Sequence, residues 1–167
     1  MAKHRGPILL DNNAIGDAVD LGVWNALIGA YRGQLETVRE VEREAGTYFR
    51  ELSDPATLMA SLKLVQVHDV TPQERNNLAV RTQGIALDPG ERDLWANALG
   101  RKPGWILCGP DKASMRAAVR LGLAEKLVSL EELLQNAGLS TKGLPDNHTN
   151  KWLRRVVGEL IVEEILK

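Results

Sequence analysis

A single cysteine, Cys108, is all the thiol this sequence holds. One thiol forms no internal disulfide and cannot supply a zinc site made of several thiolates. Its apolar setting, Trp105-Ile106-Leu107-Cys108, reads as a buried and inert side chain. Charge of one sign is lacking too: 21 Lys plus Arg stand against 22 Asp plus Glu, a formal net charge of -1. No global basic field attracts nucleic acid, so any such binding must come from a local patch. No apolar run is long enough to span a membrane, and the N-terminal segment lacks the apolar centre of a signal peptide. A cytoplasmic protein without a membrane partner is therefore expected. Internal repeats and low-complexity tracts are absent. So is a glycine-rich phosphate loop, which argues against nucleotide hydrolysis of the P-loop kind. The histidines, His4, His68 and His148, are scattered singly, and none reads as a metal ligand or general base.

What remains is ordinary material for one globular domain: 167 residues, 44% apolar and 26% charged. Pro7-Ile8-Leu9-Leu10 reads as a buried strand ending at Asp11. Apolar residues then recur at three- and four-residue steps to Tyr31, an amphipathic helix broken near Gly22. A short second strand covers 34–38. The helix after it carries Glu40, Glu42 and Glu44 on successive faces. Residues 53–64 form a connection with helical character, and 64–70 a third strand. Thr71, Pro72 and Glu74 are the cap, first-turn proline and box glutamate of a helix running to about Gly84. A fourth strand is predicted at 105–109, a helix from Pro110 to Leu123, a short edge strand at 126–130, and a further helix from Glu131. The polar, turn-rich segment 141–150 separates a body of residues 1–140 from a C-terminal amphipathic helix. That helix places Trp152, Val156, Leu160, Ile161 and Ile165 on one stripe, to pack on the domain or on a second subunit. Alternating strands and helices predict a three-layer α/β/α sandwich around a mostly parallel central sheet.

The chain is organised around residues 85–93, Ile-Ala-Leu-Asp-Pro-Gly-Glu-Arg-Asp. Asp88, Pro89 and Glu91 stand at the offsets of a helix N-terminus, where the cap side chain accepts an orphan N–H. Glu91 has company. Asp11 and Asp111 also follow apolar strand-like runs, and strand ends of an open parallel sheet lie side by side. Three carboxylates converging there would repel one another unless a cation sat between them.

Three stretches resemble the PIN-domain nucleases: PILLDNNAI, LDPGERDLWANAL, and the long run from Trp105 to Leu139. They are most similar to the branch whose second motif is an apolar run followed by Asp-x-Gly-Glu. The resemblance covers about residues 7–138. It implies a metal-dependent endoribonuclease, often the toxin of a toxin–antitoxin pair; single-stranded RNA is the expected substrate, because its backbone can bend into a small acidic pocket. An antitoxin protein and a homodimer are the partners it implies. Asp11, Glu91 and Asp111 match the family's acids, and Glu40 suits a fourth, with Glu44 the alternative. The implied cofactor is Mg²⁺ or Mn²⁺, hard cations that prefer oxygen ligands. Arg116 matches the family arginine; Lys112, Arg116 and Arg120 share one helix face where they would meet the RNA backbone. Asn12 and Asn13 would serve as outer-shell groups or cap the next helix. Two positions depart from the pattern: Pro110 stands where a second acid is common, and Cys108 and Gly109 replace a small hydroxyl residue.

The residues bear on two other readings. A haloacid-dehalogenase-type phosphatase would need a second Asp two residues after the first, and that position is Asn13. A PIN-like module that binds or assembles without turnover is favoured by Pro110 and opposed by Asp11, Glu91 and Asp111.

Overall fold

A computed structural model describes residues 2–167. Four short strands form its sheet: β1 (Ile8–Leu10), β2 (Leu35–Val38), β3 (Gln66–His68) and β4 (Ile106–Cys108). All pair in parallel, in the order β3-β2-β1-β4. Nine helices among the described residues flank this sheet in a three-layer α/β/α sandwich. They are α1 (Asn12–Asp20), α2 (Trp24–Ala30), α3 (Arg39–Phe49), α4 (Pro55–Ser61), α5 (Pro72–Arg81), α6 (Pro89–Leu99), α7 (Lys112–Arg120), α8 (Leu130–Asn136) and α9 (Asn150–Ile165).

The central strand explains itself: Ile8, Leu9 and Leu10 are all fully buried, so β1 is apolar on both faces, as a parallel strand covered twice must be. From β1 the chain steps outward to β2 and β3, then crosses back to place β4 on β1's other side. The order reverses between β1 and β4. Side chains at the carboxyl ends of those two strands therefore face a crevice that no crossover covers.

Helix starts follow the predicted chemistry. Thr71 and Glu74 form a complete capping box on α5, and Asp88 and Glu91 form another on α6. The expected break near Gly22 separates α1 from α2. The edge strand expected at 126–130 shrinks to one parallel bridge, Leu107 with Leu127. Its reason is local: the Ser129 hydroxyl accepts the Glu132 N–H at 3.0 Å and turns the chain into α8.

The C-terminal helix packs on its own chain. Val156 and Leu160 bury against Met115 of α7 in a small cluster separate from the main core. The predicted stripe is only half correct: Ile161 and Ile165 face outward, 40% and 75% exposed, beside exposed Val162 and Leu166. Only the Trp152, Val156 and Leu160 side of the helix meets α7, so the inward stripe is narrower than its apolar content. His148, 1% exposed, lies 2.5 Å from Asp17 of α1 and pins the connecting segment to the body. No helix among the described residues is long and apolar enough to cross a membrane.

Candidate functional site

Three helix N-termini meet at the β1/β4 crevice, and each is capped by an acid. Asp11 ends β1, where its own N–H bonds the Cys108 carbonyl of β4 at 3.1 Å. Its Oδ1 accepts the Ala14 N–H at 2.7 Å and so starts α1. Asp88 Oδ1 accepts the Glu91 N–H at 2.8 Å, while Glu91 Oε2 accepts the Asp88 N–H at 3.1 Å. Asp111 Oδ1 accepts from Ala113 at 2.8 Å and Ser114 at 3.3 Å at the start of α7. Each acid is thus fixed through a backbone hydrogen bond, and positive helix ends surround the cluster.

Between them lies a cavity of about 40 Å³ lined by Asp11, Asn12, Asn13, Val41, Glu44, Asp88, Gly90 and Glu91. Asp111 stands close enough to Glu91 for its carboxyl to raise that of Glu91. No basic side chain among the described residues lines the cavity. Three of these acids are shifted in the same direction. Burial pushes Asp11 up to about 7, against a lowering from the Ala14 N–H and with further raising by Asp111, Asp88 and Asp17. Burial and the Asp111 carboxyl push Glu91 up as well. Glu44 is raised by burial and by Asp88 and Glu40. These three acids resist ionisation because burial and like charge outweigh the backbone N–H groups that favour their charged forms. The Cys108 thiol behind them is pushed well up by burial and by Asp11, in keeping with an inert side chain.

Two glycines make the crowding sterically feasible. A Cβ on Gly109 would stand 2.9 Å from Asp11 Oδ2, and one on Gly90 would stand 2.8 Å from Glu44 Oε2. Glycine at 109 therefore leaves room for the Asp11 carboxylate.

Asp11, Glu91 and Asp111 are brought together at the carboxyl edge of the sheet. Glu40 is not: it pairs with Arg43 at 2.7 Å on the outer side of α3, while Glu44 lines the cavity. On a helix the two differ by one turn and about 40° of azimuth; the inward side is the one that follows Val41, a buried neighbour the sequence offered as a signal. Capping of α1 falls to Asp11, not to Asn12 or Asn13, which occupy the helix's first turn and line the cavity. Asn12 Oδ1 is buried and has no hydrogen-bond partner among the described residues. Lys112 is exposed at the first turn of α7. Arg116 and Arg120, expected beside it, face α9 instead: Arg116 pairs with Glu163 at 3.2 Å and Arg120 with Glu164. Asp88 was legible as a cap and missed as part of the pocket.

The donors are all oxygen atoms, and the unpartnered Asn12 oxygen adds a neutral one, a set that suits a hard divalent cation. With half of each carboxylate tied to a helix end, no three Asp, Glu, His or Cys side chains among the described residues are grouped to share one ion. Comparison with protein-family models, curated proteins and solved structures found no match to this chain.

Proposed function

We propose that this chain is a metal-dependent endoribonuclease that hydrolyses phosphodiester bonds of single-stranded RNA in the cytoplasm. One observation carries the reading: Asp11, Glu44 and Glu91, from three separate segments, line one small cavity at the sheet's switch point, with the Asp111 carboxyl acting on Glu91 from beside it. Asp11, Glu91 and Asp111, with Glu44 in the role first given to Glu40, would hold Mg²⁺ or Mn²⁺. When bound, such an ion supplies Lewis-acid charge and orients water for in-line attack on phosphorus. The chain's own groups do the positioning. The N-termini of α1, α6 and α7 turn their positive ends toward the phosphate. Lys112 adds a mobile cation at the rim, and the buried capping bonds hold Asp11 and Asp111 in register.

The test is cleavage of an end-labelled, unstructured RNA with Mn²⁺ or Mg²⁺. Asp11→Asn and Asp111→Asn keep side-chain shape and remove charge, so each should lose at least about 100-fold in rate with circular dichroism unchanged. Metal-dependent cleavage surviving in both variants sinks the assignment. A second reading, a binding or assembly module without turnover, is favoured by Pro110 and by the ungrouped carboxylates. Metal binding by the wild type with no cleavage of any RNA would select it.

The resemblance extends the proposal to a toxin with an antitoxin protein as partner. It extends it also to a homodimer, for which exposed Ile161, Val162, Ile165 and Leu166 on α9 offer an apolar surface. Ile161→Glu with Ile165→Glu should lower the mass in sedimentation; a monomer before and after defeats the dimer.

A further inference from the structure

We infer that the groove between α3 and α4, walled by Arg39, Arg43, Arg50 and Lys63, is a track for the phosphodiester backbone of single-stranded RNA. The inference rests on the nuclease reading for the strand's destination and names how the substrate reaches the carboxylate pocket. The groove holds about 340 Å³, with Gly46, Met59 and Leu62 as its floor and Glu42 as its one acid. Four cations and one carboxylate line this groove, on a chain whose net charge is -1.

The basic face that the sequence offered on α7 is shared with α9. Glu163 and Glu164 of α9 occupy Arg116 and Arg120. On α3 the arrangement differs. At about 100° per residue, Arg39, Arg43 and Arg50 fall within about 40° of one another and extend over about 16 Å of helix. Arg39 leans on Glu42 and Asp69, and Arg43 on Glu40. Both arginines are exposed, and exposed pairs contribute little and exchange readily for phosphate. Arg50 and Lys63 are exposed and have no carboxylate partner among the described residues. Cations left unpaired beside others in one groove are matched by a polyanion, which gains from counterion release.

The groove also leads somewhere. Arg43 is the neighbour of Glu44, which lines the carboxylate pocket, so one helix presents both, about 100° apart. A strand leaving the pocket crosses the Glu40–Arg43 pair and then meets Arg39, Arg50 and Lys63. Only a flexible single strand can follow that bend around a helix; a rigid duplex cannot.

The test is fluorescence anisotropy of a short labelled RNA on the full chain, in EDTA so that no cleavage intervenes. Arg50→Glu with Lys63→Glu should weaken binding at least about tenfold and flatten the salt dependence by about 1.4, or about 0.7 per lost phosphate contact. Arg50→Gln with Lys63→Gln, which adds no repulsion, guards against misfolding and should give the same flattening. Lys102→Glu with Lys142→Glu makes the same change in net charge on exposed sites elsewhere and should cost less than about threefold. Equal losses in groove and control variants overturn the track, as does an unchanged affinity or no binding by the wild type. Capture of a poly-glutamate peptide in preference to RNA overturns it in favour of an acidic protein. The two claims fail separately. RNA held by the groove but never cleaved by the wild type leaves the track and removes the nuclease; cleavage with groove variants binding normally removes the track alone.

Discussion

Glu36 and Asp11 are buried carboxylates on neighbouring strands, 7% and 5% exposed, and they titrate in opposite directions. Burial alone would raise Glu36, but Arg101 Nη2 donates to Oε1 at 2.7 Å and His68 Nε2 lies 2.5 Å away. Together they hold it below the usual range. Asp93 is treated the same way: two bonds of 2.9 Å from Arg75 and one of 2.9 Å from Arg92 outweigh its burial. Asp11, Glu44 and Glu91 have only backbone N–H groups and one another, and all three are raised. The chain thus has arginines to spare for buried acids and places none at the switch point. A carboxylate cluster left uncompensated beside two that are matched is a property of that position, not of the composition.

The sharpest way to break the comparison is to remove a matched acid. Glu36→Ala leaves Arg101, whose side chain is 14% exposed, without its partner. The expected loss is about 3–5 kcal/mol in urea unfolding. Asp11→Asn should do the reverse in metal-free buffer at pH 8, raising stability by relieving repulsion and desolvation. If both substitutions destabilise equally, the two clusters are not different in kind.

Titration of stability is the next largest effect, and its two limbs separate the regions. Asp11 has a folded value of about 7 against 3.8 unfolded. Below about pH 4 both states are protonated and no penalty exists. Between about 4 and 7 the unfolded chain ionises while the folded one holds its proton, so stability falls; above that it stays low. The gap corresponds to about 4 kcal/mol at most. Glu36 and Asp93 are lowered, so their contribution is present above their unfolded values and is lost as pH falls through the folded ones. Metal-free melting curves should therefore decline from mildly acidic to neutral pH. Asp11→Asn should flatten that decline and leave the acid limb alone. Saturating Mn²⁺ should flatten it as well, because a bound cation supplies the missing charge.

The fold and half of the site could be read from residue order because both rest on local rules. Apolar runs ending in Asp11 and before Asp111, and the Asp88–Glu91 box, are short-range patterns whose physics is complete within a few residues. The choice of Glu44 over Glu40 was not of this kind. Both are acids on one helix, and only the packing of α3 against α6 decides which one faces inward. The Glu163 partner of Arg116 is a similar case. The i, i+4 spacing of Arg116 placed it on the face of Lys112 and Arg120, and the carboxylate it pairs with comes from α9, some 40 residues onward. The matched cluster of Glu36 was invisible, because Arg101 and His68 join it from distant points in the chain.

Smaller effects distinguish the walls of the pocket. Alanine at 109 puts a Cβ 2.9 Å from Asp11 Oδ2 and 3.1 Å from its Cγ. Asp11 is buried and tied to Ala14, so it cannot yield; the overpacking should cost about 1–3 kcal/mol. Alanine at 90 meets only the far end of Glu44 and lies in the first turn of α6, where alanine favours the helix. Gly90→Ala should change stability by less than about 1 kcal/mol while weakening Mn²⁺ binding measured by calorimetry. A large loss of stability in Gly90→Ala, with metal affinity intact, would mean that the Glu44 carboxylate is anchored for structure and not for a ligand.

The smallest effect concerns a pair that belongs to neither region. Arg116 and Glu163 meet at 3.2 Å with side chains 39% and 57% exposed. Solvent screens such a pair, so Glu163→Gln should shift stability by no more than about 0.5 kcal/mol. The packing of α9 rests on Met115, Val156 and Leu160, which the substitution does not touch. What it does change is the charge facing Arg116: one carboxylate fewer competes with phosphate at the flank of α7. If the α7 face takes any part in holding RNA, Glu163→Gln tightens binding at low salt and the gain disappears as salt rises. An affinity identical to wild type at every salt concentration would assign Arg116 to fastening the C-terminal helix, and would leave Lys112 as the cation of α7 available to the substrate.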